Sequence, residues 1–173
     1  MMLSAHKNKV ANYSYPLTPP LPFVPSQEAA GVIVEVGENV DAKLIGKRVL
    51  GPTLFQSQSG GLADFCLMSA RSVYEIPDAM SSEEAAGFFI PYQTAWVGLI
   101  PETLLNNVSL VGAMPTGFSQ EYYADAHHDL IKHWSNGKLK VVGNQIFEFE
   151  DGLKAIEHIA SGKVEGKVVV RIP

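Results

Sequence analysis

Cysteine is almost absent. One residue, Cys66, stands in a chain of 173, which excludes an internal disulfide framework and agrees with a reducing compartment, here taken as the cytoplasm. Cationic clustering is missing too. The formal net charge is −5, and Lys47-Arg48 is the longest basic run. Nucleic acid is therefore not expected as a partner, because phosphate binding draws on grouped cations. No apolar stretch reaches the ~20 residues of a membrane helix, so no membrane partner is expected. The opening Met1-Met2-Leu3-Ser4-Ala5-His6-Lys7 lacks the apolar region of a secretory signal. No two glycines lie two positions apart, although the chain has 15 of them. A Gly-x-Gly-x-x-Gly phosphate turn is thus excluded outright.

What is present begins with proline. Pro16, Pro19, Pro20, Pro22 and Pro25 rule out helix over this stretch. The interleaved Leu21, Phe23 and Val24 favour a packed loop over a free polyproline tail. β-Branched runs bounded by turn residues then predict short strands at Gly31–Val36, Lys47–Gly51, Leu62–Met68 and Ser72–Ile76. Short, turn-bounded strands of this kind point to an antiparallel barrel or sandwich.

Beyond residue 80 the pattern turns helical. Ser81 and Glu84 have capping-box spacing, Pro91 is expected to interrupt, and a second helix is expected from Tyr92. Asn107–Met114 reads as a buried strand. Ser119 caps a long helix ending at Asn136-Gly137, whose apolar stripe is Tyr123, His127, Leu130, Ile131 and Trp134. Ile146–Phe149, Asp151–Ala160 and Lys167–Ile172 read as strand, helix and strand. His127 and His128 face different sides of their helix, so a shared metal ion is not expected; Asp129 and His133 form at most a surface pair.

Several stretches resemble the medium-chain dehydrogenase/reductase superfamily, on its zinc-independent quinone oxidoreductase (zeta-crystallin-like) branch. They are Pro22–Val32, Val36–Val40 with Gly46–Val49, Gly60–Phe65, and Ile76–Ser81 continuing to Thr94-Ala95. Later matches are Leu104–Gly112, Gly137–Leu139 and Gly166–Val170. The resemblance implies a mainly β fold with some α. A GroES-like antiparallel β-barrel domain would span 1–100, shortened at its start. Residues 101–137 would be a remnant strand and long helix of a deleted nucleotide-binding domain, and 138–173 would return into the barrel. Thr94 and Leu104 are ten positions apart where the family places a whole dinucleotide-binding half; even one βαβ unit needs about 30 residues.

The resemblance also implies function. The family reduces quinones or α,β-unsaturated carbonyls with NADPH, and the cofactor carries the hydride. Tyr15 matches a tyrosine near substrate, although Tyr13 replaces the glycine that precedes it in the family. Glu28 matches a glutamate near the active cleft. Thr94, Val111 and Gly112 match positions at the nicotinamide end of the cofactor. Zinc is not expected, because Gln27 stands where zinc-dependent relatives carry a histidine, and an amide oxygen is a poor ligand for that ion. The proton comes from Tyr15 or from solvent. Two readings stand: an oxidoreductase whose activity is impaired or lost, and a non-catalytic GroES-like binding or regulatory module. With the family's sheet missing, Val108, Leu110, Val111, Tyr123, Leu130, Ile131 and Trp134 are expected to stand bare and to drive self-association.

Overall fold

The computed structural model describes residues 2–3, 18–99, 119–142 and 144–173. The expected strand at Asn107–Met114 lies outside them. Two three-stranded sheets carry the architecture. The first is an antiparallel meander of β2 (Glu28–Val32), β3 (Arg48–Pro52) and β4 (Tyr74–Glu75). Its register runs from Glu28 opposite Pro52 to Val32 opposite Arg48. The second sheet has the order β1 (Met2–Leu3), β6 (Lys167–Arg171), β5 (Asn144–Glu148).

No closed barrel forms among the described residues, which corrects the expected architecture. The C-terminal strands do not complete an antiparallel barrel. β5 and β6 pair in parallel, joined by the helix Gly152–Ala160, while β1 is antiparallel to β6. A parallel pair needs such a crossover, and the helical period over residues 153–160 supplies it. Ala155 and Ile159 from that helix pack on Val168 and Val170 of β6 as one core.

The other helices are α1 (Ser82–Ala86), α2 (Phe89–Leu99) and α3 (Gln120–Ser135), which makes Gly152–Ala160 α4. The capping box at α1 forms: Ser81 Oγ accepts from the Glu84 amide at 3.1 Å, and Glu84 Oε2 accepts from the Ser81 amide at 3.2 Å. Pro91 does not interrupt. It is the third residue of α2, where backbone amides have no intrahelical acceptor and its missing N–H costs nothing. The break falls instead at Gly87, the C-cap of α1.

Two expected strands change. The first shifts towards its N-terminus, to Glu28–Val32, because a one-turn 3-10 helix at Ala42–Leu44 and Gly46 at φ +86° take up the return loop. Leu62–Met68 does not form a strand; only Met68 makes a bridge, to Thr53. The proline-rich stretch, where described, is a packed loop. Phe23 meets Phe55 edge-on at 5.7 Å, and Gln58 Nε2 donates to the carbonyls of Pro20 and Pro22.

The second core joins the meander to α1, α2 and α3. Leu50, Met80, Phe88, Phe89 and Leu130 are its buried members, with Ile131 and Trp134 packed against them. The α3 stripe is therefore covered. This corrects the expectation that Leu130, Ile131 and Trp134 stand bare. Of the other residues in that expectation, Tyr123 is half-buried, and Val108, Leu110 and Val111 lie outside the described residues.

Candidate active site

Glu28 opens β2 and is 2 % exposed, a costly place for a carboxylate without partners. Two elements meet it. Its Oε2 accepts from the Ile90 amide at 2.9 Å, in the first turn of α2. That amide has no acceptor within the helix, and the helix N-terminus carries partial positive charge. Its Oε1 faces Lys167 Nζ at 3.8 Å, at the start of β6. One carboxylate thereby ties the meander to both α2 and the second sheet. Burial pushes the Lys167 ammonium below the ordinary lysine range, and Glu28 offsets part of that effect.

The loop before β2 is shaped to deliver this carboxylate. Ser26 takes φ 91°, its hydroxyl donates to the Glu28 carbonyl at 2.8 Å, and Thr53 Oγ1 donates to the Ser26 carbonyl at 2.7 Å. Glycine adopts such a left-handed backbone most readily, so Ser26 holds it at a cost in strain. The Gly60-Gly61 pair presses on the same loop. A Cβ on Gly60 would lie 2.0 Å from the Val24 carbonyl oxygen and 2.2 Å from that of Pro25.

Thr94 sits one turn along α2 from Ile90. Its hydroxyl donates back to the Ile90 carbonyl at 2.7 Å, so its proton is spent within the helix. Glu28 and Thr94 thus converge on one residue, from opposite ends of its peptide groups. Tyr15, Val111 and Gly112 lie outside the described residues. Sequence reasoning missed Lys167 and Tyr92. Tyr92 reaches from α2 to the chain after α3, donating to the Lys140 carbonyl at 2.9 Å and accepting from the Val142 amide at 3.2 Å. Their only signal was position: Tyr92 beside Pro91, and Lys167 in the terminal Gly-Lys-Val-Val match. Beside them opens a cleft of about 200 Å³, lined by Pro91, Tyr92, Ala95, Val142, Gly166 and Lys167.

The zinc-binding dehydrogenase family matches residues 55–170, and the alcohol dehydrogenase GroES-like domain matches residues 5–78. The chain belongs to the zinc-binding dehydrogenase family. Within the medium-chain superfamily it stands with the quinone oxidoreductase-like proteins. It is 41 % identical over 85 residues to a quinone oxidoreductase-like protein 2 homolog of Nematostella vectensis, covering 49 % of this chain and 22 % of that protein. It is 37 % identical over 87 residues to human quinone oxidoreductase, covering 50 % of this chain and 26 % of that protein. The chain thus spans about a quarter of the length of these relatives.

Solved structures share the fold. The human synaptic vesicle membrane protein VAT-1 homolog-like protein aligns with TM-score 0.73 at 17 % identity, covering 95 % of this chain and 84 % of that one. A putative NADPH:quinone reductase from Bacillus thuringiensis aligns with TM-score 0.66 at 17 % identity, covering 86 % and 81 %.

The residues present do not fit the groups that the family's names imply. Among the described residues no cluster of three or more His, Cys, Asp or Glu is placed to hold a metal ion. Burial raises the Cys66 thiol, which makes it a poor thiolate ligand. For a dinucleotide, the glycine turn is absent from the sequence, and the Thr94 hydroxyl already has its acceptor. No helix among the described residues is long and apolar enough to cross a membrane.

Proposed function

We propose that this chain is the substrate-side portion of an NADPH-type reductase of quinones or α,β-unsaturated carbonyls, with most of the dinucleotide-binding half deleted and its activity lost. Residues 1–100 and 138–173 form the GroES-like part, and 101–137 are the remnant. What carries the reading is the Glu28–Ile90–Thr94 arrangement. There the glutamate and threonine that match the family's pattern meet in the first turns of α2, with the threonine hydroxyl committed to its own helix. In such a site the chain's residues would orient the substrate and exclude water. Tyr15 or solvent would deliver the proton, and Val111 and Gly112 would lie at the nicotinamide end.

Dinucleotide affinity comes mostly from the pyrophosphate at a helix N-terminus and from ribose and adenine contacts. The few remaining contacts must offset at least ~4 kcal/mol of lost translational and rotational freedom. Binding is then millimolar or weaker, since a 1 mM Kd is only about −4.1 kcal/mol. Titration of NADPH fluorescence with the purified chain, paired with a quinone-reduction assay, tests this. Micromolar binding, or turnover lost in Thr94→Val and Tyr15→Phe, overturns it. The alternative, a non-catalytic binding module, is favoured by the cleft beside Lys167, which is formed by this chain alone. Zinc is not part of either reading, and the setting is the cytoplasm.

A further inference from the structure

Lys167 is an unusual lysine. Its side chain is 17 % exposed, yet it lines an open cleft whose other walls are Pro91, the Tyr92 ring, the Ala95 methyl, Val142 and Gly166. These walls offer no competing cation and little polar surface. A carboxylate, Glu28, stands 3.8 Å behind the ammonium and is held in place by the Ile90 amide. The lysine thus borders an apolar cleft while its ammonium has a fixed carboxylate beside it. Desolvation is what makes lysines carbonyl nucleophiles, and for Lys167 it outweighs the opposing pull of the Glu28 carboxylate.

We propose that Lys167 is a carbonyl-reactive site, which captures small apolar aldehydes as a Schiff base within the cleft. The proposal goes beyond the reductase reading and does not depend on it. Glu28 takes one proton from the ammonium. The free Nζ then attacks the aldehyde carbon, a C–N bond forms, and the carbonyl π pair moves to oxygen, which collects a proton from nitrogen. The nitrogen lone pair next forms C=N while the C–O bond breaks, and the oxygen leaves as water with the proton returned by Glu28. Ammonium plus aldehyde gives protonated imine plus water, with no oxidant or reductant. Burial lowers the lysine's affinity for its proton and so enlarges the reactive fraction near neutrality.

The test uses the full chain, butanal and sodium cyanoborohydride, with short exposure at neutral pH and peptide mapping by mass spectrometry. Lys47 and Lys154, with side chains 50 % and 72 % exposed, are internal references. Lys167 should be alkylated about tenfold faster than either, a preference that an activated amine shows and a merely buried one does not. The preference should vanish in urea. Ala95→Trp, at an exposed position on the cleft wall, should slow Lys167 alone. If that variant does not fold, Val142→Trp at a 66 % exposed position makes the same test. Equal or slower labelling of Lys167 overturns the proposal, and so does selective labelling that a filled cleft leaves unchanged.

Discussion

A buried ion pair is defined by what each partner keeps when the other is removed. Lys167 meets Glu28 at 3.8 Å, whereas Glu28 also holds the Ile90 amide. Glu28→Ala should therefore cost about 3 kcal/mol, because it strands a buried ammonium and a helix-terminal donor together. Lys167→Met should cost less, about 1 kcal/mol, because the carboxylate retains its amide and the helix terminus. Urea denaturation of both variants checks the order; a costlier Lys167→Met would show that the pair, not the helix contact, holds Glu28.

The Gly60 position is a second residue-scale constraint. A Cβ there meets two backbone oxygens of residues 24 and 25, and backbone cannot rotate away. Gly60→Ala should destabilise by about 3 kcal/mol, at the upper end of overpacking costs. Gly31, with nothing within 4 Å of a built Cβ, is the control and should tolerate alanine. A thermal melt of each separates the two. Sequence alone marks both glycines as parts of a pattern, but only the packing of the 24–28 loop tells them apart.

At the scale of elements, α1 is short enough for its ends to matter. Ser81→Ala removes one half of the capping box and should cost about 1 kcal/mol. Arg48 supports the same turn by donating to the Met80 carbonyl at 2.7 Å, so the helix should survive the loss as a less stable one. Circular dichroism through a urea titration measures both effects.

α3 docks through an imidazole. His127 is 6 % exposed, stacks on Tyr74 at 4.4 Å and lies beside Phe88 and Phe89. Both its ring nitrogens are buried without a hydrogen-bond partner among the described residues. Burial, helped by the neighbouring His128, lowers its pKa from 6.5 to about 4. The folded state therefore prefers the neutral ring. This stabilisation is complete above pH 6.5, where the unfolded ring is neutral too, and is lost as pH falls towards 4. The span corresponds to about 3 kcal/mol, at 1.36 kcal/mol per pKa unit. His127→Phe should flatten that part of the profile. A urea midpoint that falls equally with pH in both proteins would place the acid sensitivity elsewhere.

For the whole molecule, the question is what remains uncovered. The α3 stripe is packed, but Val32 and Val34 are 55 % and 62 % exposed at the edge of the meander. Among the described residues β2 pairs with β3 alone. An edge strand with apolar side chains is a template for a second copy. Self-association through this edge is expected, and light scattering should show Val34→Lys shifting the chain towards monomer. A monomeric parent with a cooperative melt would count against it.

Much of the fold was legible in the sequence. Local rules governed the capping box at Ser81, the long helix capped by Ser119 and stopped at Gly137, and the β5–α4–β6 order, because caps, periodicity and turn residues act over a few positions. The absence of a glycine phosphate turn was equally plain. Tertiary structure decided what depends on distant partners. It set the strands in two separate sheets, one an antiparallel meander and one with a parallel pair, instead of one barrel, since strand pairing is set by which edges meet. It placed Lys167 behind Glu28 across a separation of 139 positions, and joined Glu28 to Thr94 through Ile90. No local signal encodes such contacts, because an ion pair is selected by the burial of both groups together, and burial is a property of the packed chain.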